Sequence, residues 1–420
     1  MACLGAAAIL VLGRSDEFVG ASLGPMLLAV AVVGLGLGRS AMIGTTSADT
    51  HRETAEKDLA NRTTTQSPLP SRARLLPLLP GSSDADCRSW LGGLPKLTKG
   101  AAWPVIAGRP AQFLAQIDCT ALPDALWRGA GPRRGSMVFF RAVSHEGGDL
   151  PVRVLHVEGT LTPCLPPVGQ DLRPRWPLLV QTAEPDDLPG NGDDRTEPNW
   201  SILHEVDLTS PGYQPFDWTS AEMLLGRMDT LIVACSKRFG TTVCDAERTH
   251  LRRTSEGLAE LQATLEQART EGQAFDEETR NTLQHGLCAL TLPDRPSVDG
   301  ASIAHLLPLS RHRCAAQAYF APFERHCREI YAENPECLPA DQRALFEPFW
   351  AHNARHETGC IGSDGFLTPV QTGEAEVLLE LPSSELLGWM FGEGRALRIY
   401  VDPEDLEKGV LDRAWGSVAA

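Results

Sequence analysis

Alternating apolar and polar positions predict strands at both ends of the main body of this chain. Segments 111–117, 135–140 and 152–158 have this period-two pattern near its start, and segments 376–381 and 395–401 have it near its end. Glycine- and proline-rich turns separate the strands, as expected where the backbone must reverse. The pattern therefore predicts antiparallel hairpins.

The middle of the chain has a different pattern. Residues 245–285 carry apolar side chains spaced by sevens, threes and fours, which predicts a helix with one apolar stripe. We expect this helix to pack on its own domain, with self-association of two copies as the alternative. A continuous apolar run, 228–236, predicts a buried strand just before it. The stripe consists of Leu251, Leu258, Leu261, Leu265 and Ala268.

The two terminal hairpins resemble each other. Segment 111–117 aligns with 375–381, and each is followed by a glycine-containing turn and a second strand, 135–140 or 394–400. We therefore predict an α+β fold with a mainly antiparallel sheet, built from two related hairpin units with a helical insertion at about 245–355 between them.

The first 44 residues are apolar and predict attachment to a membrane. Segment 18–38 has no charged residue and would be about 31 Å long as a helix, which is enough to span a bilayer. Segment 2–13 would reach only about 18 Å, so whether it spans as well stays open. A cleaved signal peptide is the alternative, although no basic residue precedes Arg14 and no clear cleavage site follows.

Residues 45–83 are rich in Thr, Ser, Pro and charged residues without an apolar period, which predicts a flexible linker before a globular domain at 84–420. Most flanking basic residues follow the apolar segment, so the positive-inside rule places this domain in the cytoplasm. The 11 cysteines form no CxxC pair, which is typical of reduced thiols. The net charge of −16 argues against a nucleic-acid partner.

The sequence has no motif of a known cofactor or catalytic centre: it lacks G-x-S-x-G, HExxH and P-loop patterns. We weigh three weaker signals. His352, His356 and Cys360 have helical spacing and, with His326 and Cys327, suggest zinc, but Gly359 would end the helix there, so we predict no metal site. The acidic loop 184–200 lacks calcium-loop spacing. Cys119 follows a strand and could be a reactive thiol, but nothing nearby in the sequence would lower its pKa.

The same hairpins carry a resemblance to a known family. The run LGGLP…WP…GRPAQFLAQID, then GSMVFF, and finally GEGRALRIYVDPEDLEKGVLDRAW resembles the YwqG-like bacterial proteins, a family of unknown function. The similarity covers about 84–143 and 356–415, where His356, Gly359 and Gln371 also follow the family's order. It implies an antiparallel α+β fold and a bacterial protein, and it implies no reaction.

Two hypotheses follow for function. The first is a non-enzymatic interaction module that binds a protein partner at the inner face of the membrane, because turn and core residues dominate the recognisable motifs. The second is an enzyme acting on a small molecule in a cleft between the two hairpin units. The ligand-binding residues we predict for such a cleft are Trp103, Arg109, Gln116, Asp118, His356, Gln371 and Trp389.

Overall fold

The computed structural model describes residues 72–81, 87–143, 150–170, 172–183, 206–239, 245–293, 305–362 and 375–418. The chain separates into two compact units, Met1–Leu69 and Pro70–Ala420, and every described residue lies in the second. The predicted membrane segments, the acidic loop and Gln371 therefore lie outside the described residues. Within the described ranges, no helix combines the length and the apolar character needed to cross a membrane.

A large antiparallel sheet of ten strands dominates the described residues, with three two-stranded pairs beside it. The predicted α+β class and the predicted antiparallel sheet are thus confirmed. The strands are β1 (Arg72–Pro77), β2 (Ser89–Leu91), β3 (Lys96–Thr98), β4 (Val105–Ile106), β5 (Arg109–Pro110), β6 (Gln112–Asp118), β7 (Ser136–Arg141), β8 (Val152–Val157), β9 (Leu161–Pro163), β10 (Trp176–Ala183), β11 (Thr291–Pro293), β12 (Leu306–Pro308), β13 (Gly359–Ile361), β14 (Glu376–Pro382), β15 (Ala396–Val401) and β16 (Trp415–Val418).

The order of strands across the sheet is β16-β15-β14-β13-β1-β10-β2-β6-β7-β8. Two sequential runs, β2-β6-β7-β8 and β13-β14-β15-β16, therefore flank the central pair β1 and β10. The sheet is nearly barrel-shaped, because Leu150, just before β8, exchanges two backbone hydrogen bonds with Gly416 of β16 (2.7 and 3.1 Å).

The predicted linker of residues 45–83 is wrong at its end. Arg72–Pro77 form β1, which pairs with β10 over its whole length and with β13 on its other side. Ala73 and Leu75 are fully buried and alternate with more exposed positions, which is the strand pattern that a composition rich in arginine and proline concealed.

The described residues also form six α-helices, most of them between β10 and β13. The helical insertion, predicted at about 245–355, in fact begins at Trp218. The helices are α1 (Trp218–Phe239), α2 (Asp245–Thr270), α3 (Glu277–Ala289), α4 (Arg313–Glu333), α5 (Ala340–His356) and α6 (Pro403–Glu407).

The strand predicted at 228–236 is wrong, since this run belongs to α1. Leu224, Met228 and Ile232 are buried at a spacing of four, whereas Val233 is exposed, so the true period is helical. The run was short and mainly apolar, and such a run does not distinguish a buried strand from part of a helix.

The predicted stripe of α2 serves internal packing. Leu251, Leu258 and Leu265 are buried, and α2 contacts α1 on one side and α3 on the other. These leucines belong to the main hydrophobic core, which also includes the sheet residues Phe139 and Leu379. A smaller core beside β6 and β7 is formed by Trp90, Leu97, Trp103, Ala111, Phe113, Val138, Phe140 and Val157.

Candidate functional site

A trough of about 1160 Å³ opens at the end of β6. Its walls come from the ends of β2, β6 and β8, the turn before β3, the segment before β10 and the C-terminal turn of α4. Charged groups of both signs line it. The basic residues are Arg88, Lys96, Arg173 and Arg175, and the acidic residues are Asp118, Glu158, Glu329 and Glu333.

Two of the predicted ligand-binding residues line this trough together. Gln116 and Asp118 lie two positions apart on β6, so their side chains share one face of the sheet. Gln116 accepts a hydrogen bond from the backbone N–H of Lys96 (2.8 Å). Asp118 accepts from the backbone N–H and the hydroxyl of Thr120 (both 2.9 Å), and Arg88 is 3.8 Å away. Both side chains therefore shape the wall of the trough.

Trp90 forms the floor of the trough between two cations. Its indole is 3% exposed, and its Nε1 donates to the carbonyl of Leu94 (3.2 Å). The Lys96 ammonium lies 5.5 Å from the centre of the ring, and the Arg175 guanidinium lies 5.2 Å from it. Both distances are within the range of a cation–π interaction. In the described part of the chain, neither cation has a carboxylate within salt-bridge distance.

The paired glycines of the sequence LGGLP explain how Arg175 reaches this position. Gly92 and Gly93 have φ angles of 62° and 66°, a conformation that side chains disfavour. A Cβ on Gly92 would lie 2.2 Å from the carbonyl oxygen of Pro174, and a Cβ on Gly93 would lie 2.6 Å from Cβ of Arg175. Gly93 also donates its N–H to the carbonyl of Arg173 (2.8 Å). The motif thus lets segment 173–175 lie against the turn.

Trp103 and Arg109 lie outside the lining of the trough. Trp103 is buried in the smaller core, where its Nε1 donates to the carbonyl of Ala111 (2.8 Å) and its ring meets Phe140 edge-on at 5.7 Å. Arg109 is exposed in the short pair of β4 and β5. Trp103 therefore packs in a hydrophobic core, as large aromatic residues usually do, and Arg109 belongs to a surface turn.

His356 and Trp389 also lie away from the trough. His356 is an exposed residue at the end of α5, with its ring 4.2 Å from that of His352. Trp389 is buried beside Phe391, at a ring distance of 6.0 Å. The seven predicted residues are therefore not gathered in one cleft: Gln116 and Asp118 meet, four others lie elsewhere, and Gln371 is outside the described residues.

The structure also shows the surroundings of the Cys119 thiol and of the histidines and cysteines that suggested zinc. Burial raises the pKa of the Cys119 thiol to about 12, and the neighbouring Asp118 carboxylate adds to this effect. A thiol with such a pKa is a poor nucleophile at neutral pH. Among the described residues there is no group of three or more His, Cys, Asp or Glu that could hold a metal ion. His326 bonds to Asp217 at 2.7 Å instead.

Sequence reasoning missed Trp90, Lys96, Arg173 and Arg175. Trp90 and Lys96 flank LGGLP directly, so the local sequence contains a signal: an aromatic and a basic residue on either side of a glycine turn. Arg173 and Arg175 lie in a proline-rich stretch far along the chain. Nothing in that stretch indicates that it returns to the same turn.

Part of the chain is similar to a known protein family. Residues 89–294, just under half of the chain, match the model of a family described as "Domain of unknown function (DUF1963)". The match begins at β2 and includes the trough residues on β6 and in the segment before β10. Segment 356–415, the second of the two segments that resemble the YwqG-like proteins, lies beyond the match. No curated protein matches the chain.

Proposed function

We propose that this protein is a YwqG-like binding module whose trough holds an acidic segment of a protein partner. The observation that carries the proposal is the arrangement at Trp90: Lys96 and Arg175 lie over one buried indole, and neither has a carboxylate partner among the described residues. Two such cations favour an anionic group on a ligand, because a charge-assisted hydrogen bond or ion pair would satisfy both.

The size of the trough favours a polypeptide over a metabolite. Small-molecule sites usually enclose about 300–1,000 Å³, and the trough exceeds this range at about 1160 Å³. Its acidic residues, Glu158 at one wall and Glu329 and Glu333 on α4, would orient a segment that carries basic residues beside its acidic group. The motifs that resemble the family support a binding role, since they build turns and core packing.

The proposal includes attachment of the protein to a membrane through the apolar segment 18–38. A helix of this length and composition would place the trough at the inner face of a bacterial membrane, with the excess of flanking arginines on the cytoplasmic side. The YwqG-like relationship and the bacterial origin rest on the resemblance of 84–143 and 356–415.

We also propose that the two hairpins are related units. In β6–β7 the strand register shifts between Phe113 and Ala115, and in β14–β15 it shifts between Val377 and Leu379. The sequence alignment of 111–117 with 375–381 superimposes these two shifts. A bulge at an aligned position is a specific backbone feature, and such features persist within families.

Charge reversal tests the trough. The double variant Lys96→Glu/Arg175→Glu should lose partner capture from solubilised membranes, and a photo-crosslinking residue at the exposed Leu172 should label the same partner in the unmodified trough. The matched control is Lys237→Glu/Arg253→Glu, which reverses two exposed charges on α1 and α2. Equal capture by both double variants would contradict the proposal.

Fractionation tests the tether separately. The full-length protein should sediment with membranes and resist extraction by carbonate, and a variant lacking residues 1–44 should not. If the full-length protein stays in the soluble fraction, the tether is wrong, and the charge-reversal experiment on the trough still decides the binding role.

A further inference from the structure

A second cavity, of about 570 Å³, lies between α4, α5 and the turn that follows β14. Phe320, Phe346, Phe349 and Trp350 provide apolar rings, and Leu387 adds to the wall. The cavity adjoins the trough through Arg173, Pro174 and Glu329, which line both. Its volume is within the range of small-molecule sites, and charged side chains share its lining with the apolar rings.

The helices build this cavity through their periodicity. Phe346, Phe349 and Trp350 are spaced by three and four on α5, so they share one face, and the rings of Phe346 and Trp350 stack at 5.6 Å. On α4, Phe320, Glu324 and Arg328 follow at intervals of four, which brings a ring, a carboxyl group and a guanidinium into one row.

Glu324 is oriented by its neighbours. Its Oε1 accepts a hydrogen bond from Nε1 of Trp350 (2.7 Å), and its Oε2 is 3.7 Å from Nη2 of Arg328, too far for a hydrogen bond. Burial raises the pKa of Glu324, and the charge of Arg328 opposes this rise without cancelling it. The carboxylate therefore compensates the guanidinium only in part.

Arg328 is left with unused hydrogen-bonding capacity. It is only 8% exposed, its Nη1 donates to the carbonyl of Glu385, and its Nε is buried without an acceptor in the described part of the chain. A buried guanidinium is costly unless each donor is paired. Its Nη2 makes no hydrogen bond within the described part of the chain. Because Arg328 lines an open cavity, a bound molecule can accept a hydrogen bond from this nitrogen.

We infer that this cavity binds a small aromatic carboxylic acid. The ring of the ligand lies against Phe346, Phe349 and Trp350, and its carboxylate accepts from Nη2 of Arg328. A carboxylate fits because its negative charge strengthens a hydrogen bond from the guanidinium. This site is distinct in chemistry from the binding of a protein segment proposed for the trough, and the inference does not rest on that proposal.

The test is titration of the full-length protein with benzoate, phenylacetate, 3-phenylpropionate and indole-3-acetate, followed by ligand-observed NMR and calorimetry. At least one acid should bind with a Kd below about 1 mM, and its amide analogue should bind about tenfold more weakly because it lacks the charge. Binding by none of the four acids, or equal binding of acid and amide, would overturn the inference.

Two variants place the binding in this cavity. Arg328→Gln should weaken binding of the acid about tenfold and reduce the preference for acid over amide. Ala321→Trp should abolish binding of both, since Ala321 is an exposed residue at the cavity wall and a bulky ring there fills the space without entering the core. The control is Arg313→Gln, an exposed arginine at the start of α4. Unchanged affinity in Ala321→Trp would refute this location.

Discussion

The Nε2 atom of His326 lies 2.7 Å from Oδ2 of Asp217 and so joins α4 to the start of α1. The second oxygen of Asp217 accepts hydrogen bonds from the backbone N–H of Ser220 (2.7 Å) and from its hydroxyl (2.6 Å). The imidazole also stacks on Phe216 at a ring distance of 5.7 Å. One carboxylate thus holds the first turn of a helix and the middle of another.

This contact predicts a loss of stability in acid. Burial by itself would raise the pKa of Asp217, but hydrogen bonds from His326 and Ser220 outweigh it and hold the pKa below its usual range. A group with a lowered pKa in the folded state stabilises the fold above its unfolded pKa of about 4, and this contribution is lost as the pH falls through the folded pKa. Asp217→Asn should lower the free energy of unfolding by about 1 kcal/mol at pH 7.

Urea unfolding at pH 7 and at pH 3 measures this effect. The difference between the wild type and Asp217→Asn should narrow at the lower pH, because the wild-type carboxylate also becomes protonated. Asp229→Asn, an exposed change on the same helix, serves as the control and should show no such dependence. A constant difference at both pH values would contradict the role given to the charge.

Gly416 should be essential for joining the two edges of the sheet. A Cβ at this position would lie 2.7 Å from Cγ1 of Val152 and 2.9 Å from the carbonyl oxygen of Leu150. Gly416→Val should therefore push β16 away from β8 and cost about 1–3 kcal/mol of unfolding free energy. Amide hydrogen exchange at Leu150 should accelerate, whereas Ser417→Val should leave it unchanged.

Two glycines inside helices should respond to alanine in opposite directions. A Cβ on Gly226 of α1 would meet nothing within 4 Å, so Gly226→Ala should stabilise the protein by about 0.5–1 kcal/mol through a better helix propensity. A Cβ on Gly286 of α3 would lie 2.6 Å from the side chain of Leu261, so Gly286→Ala should destabilise it. Thermal unfolding of both variants provides the comparison, and a gain in Gly286→Ala would show that Leu261 moves aside freely.

Removing one partner of the buried ion pair Glu380–Arg398 should lower the free energy of unfolding more than replacing both partners with apolar residues. The two side chains lie opposite each other on β14 and β15, 2.9 Å apart and 2% and 5% exposed. Arg398→Met leaves a buried carboxylate and should cost about 3–5 kcal/mol. The double variant Glu380→Leu/Arg398→Met should recover most of this loss in a denaturant titration. If the double variant is no more stable than Arg398→Met alone, the uncompensated charge is not the cause.

Features that depend on residues close together in the sequence were predicted more accurately than features that depend on contacts between distant segments. Strands β6, β7, β8, β14 and β15 were predicted from alternation of residue types within each segment, although β6 and β15 are buried on both faces. Gln116 and Asp118 lie together in the trough because residues two positions apart on a strand share one face of the sheet. Predictions that needed only the pleat of a strand were reliable.

Predictions that depended on distant segments failed. From the sequence, Trp90 is indistinguishable from an ordinary core residue. Its site depends on Arg175 lying over its ring, which in turn requires segment 173–175 to pack closely on Gly92 and Gly93. His356 and Trp389 were assigned to a cleft on the assumption that the two hairpins face each other. The hairpins lie in one sheet, separated by β13, β1, β10 and β2 on one side and by β8 and β16 on the other.

The position of β1 has a consequence for how the chain folds and how it can be cut. During synthesis β1 emerges before every other strand of the sheet, yet its neighbour β13 follows all five large helices. Long-range pairing of this kind is slow, and until it is complete β1 exposes an unpaired edge that favours aggregation. A truncated protein that begins at residue 84 removes the centre of the sheet, whereas one that begins at about residue 70 keeps it.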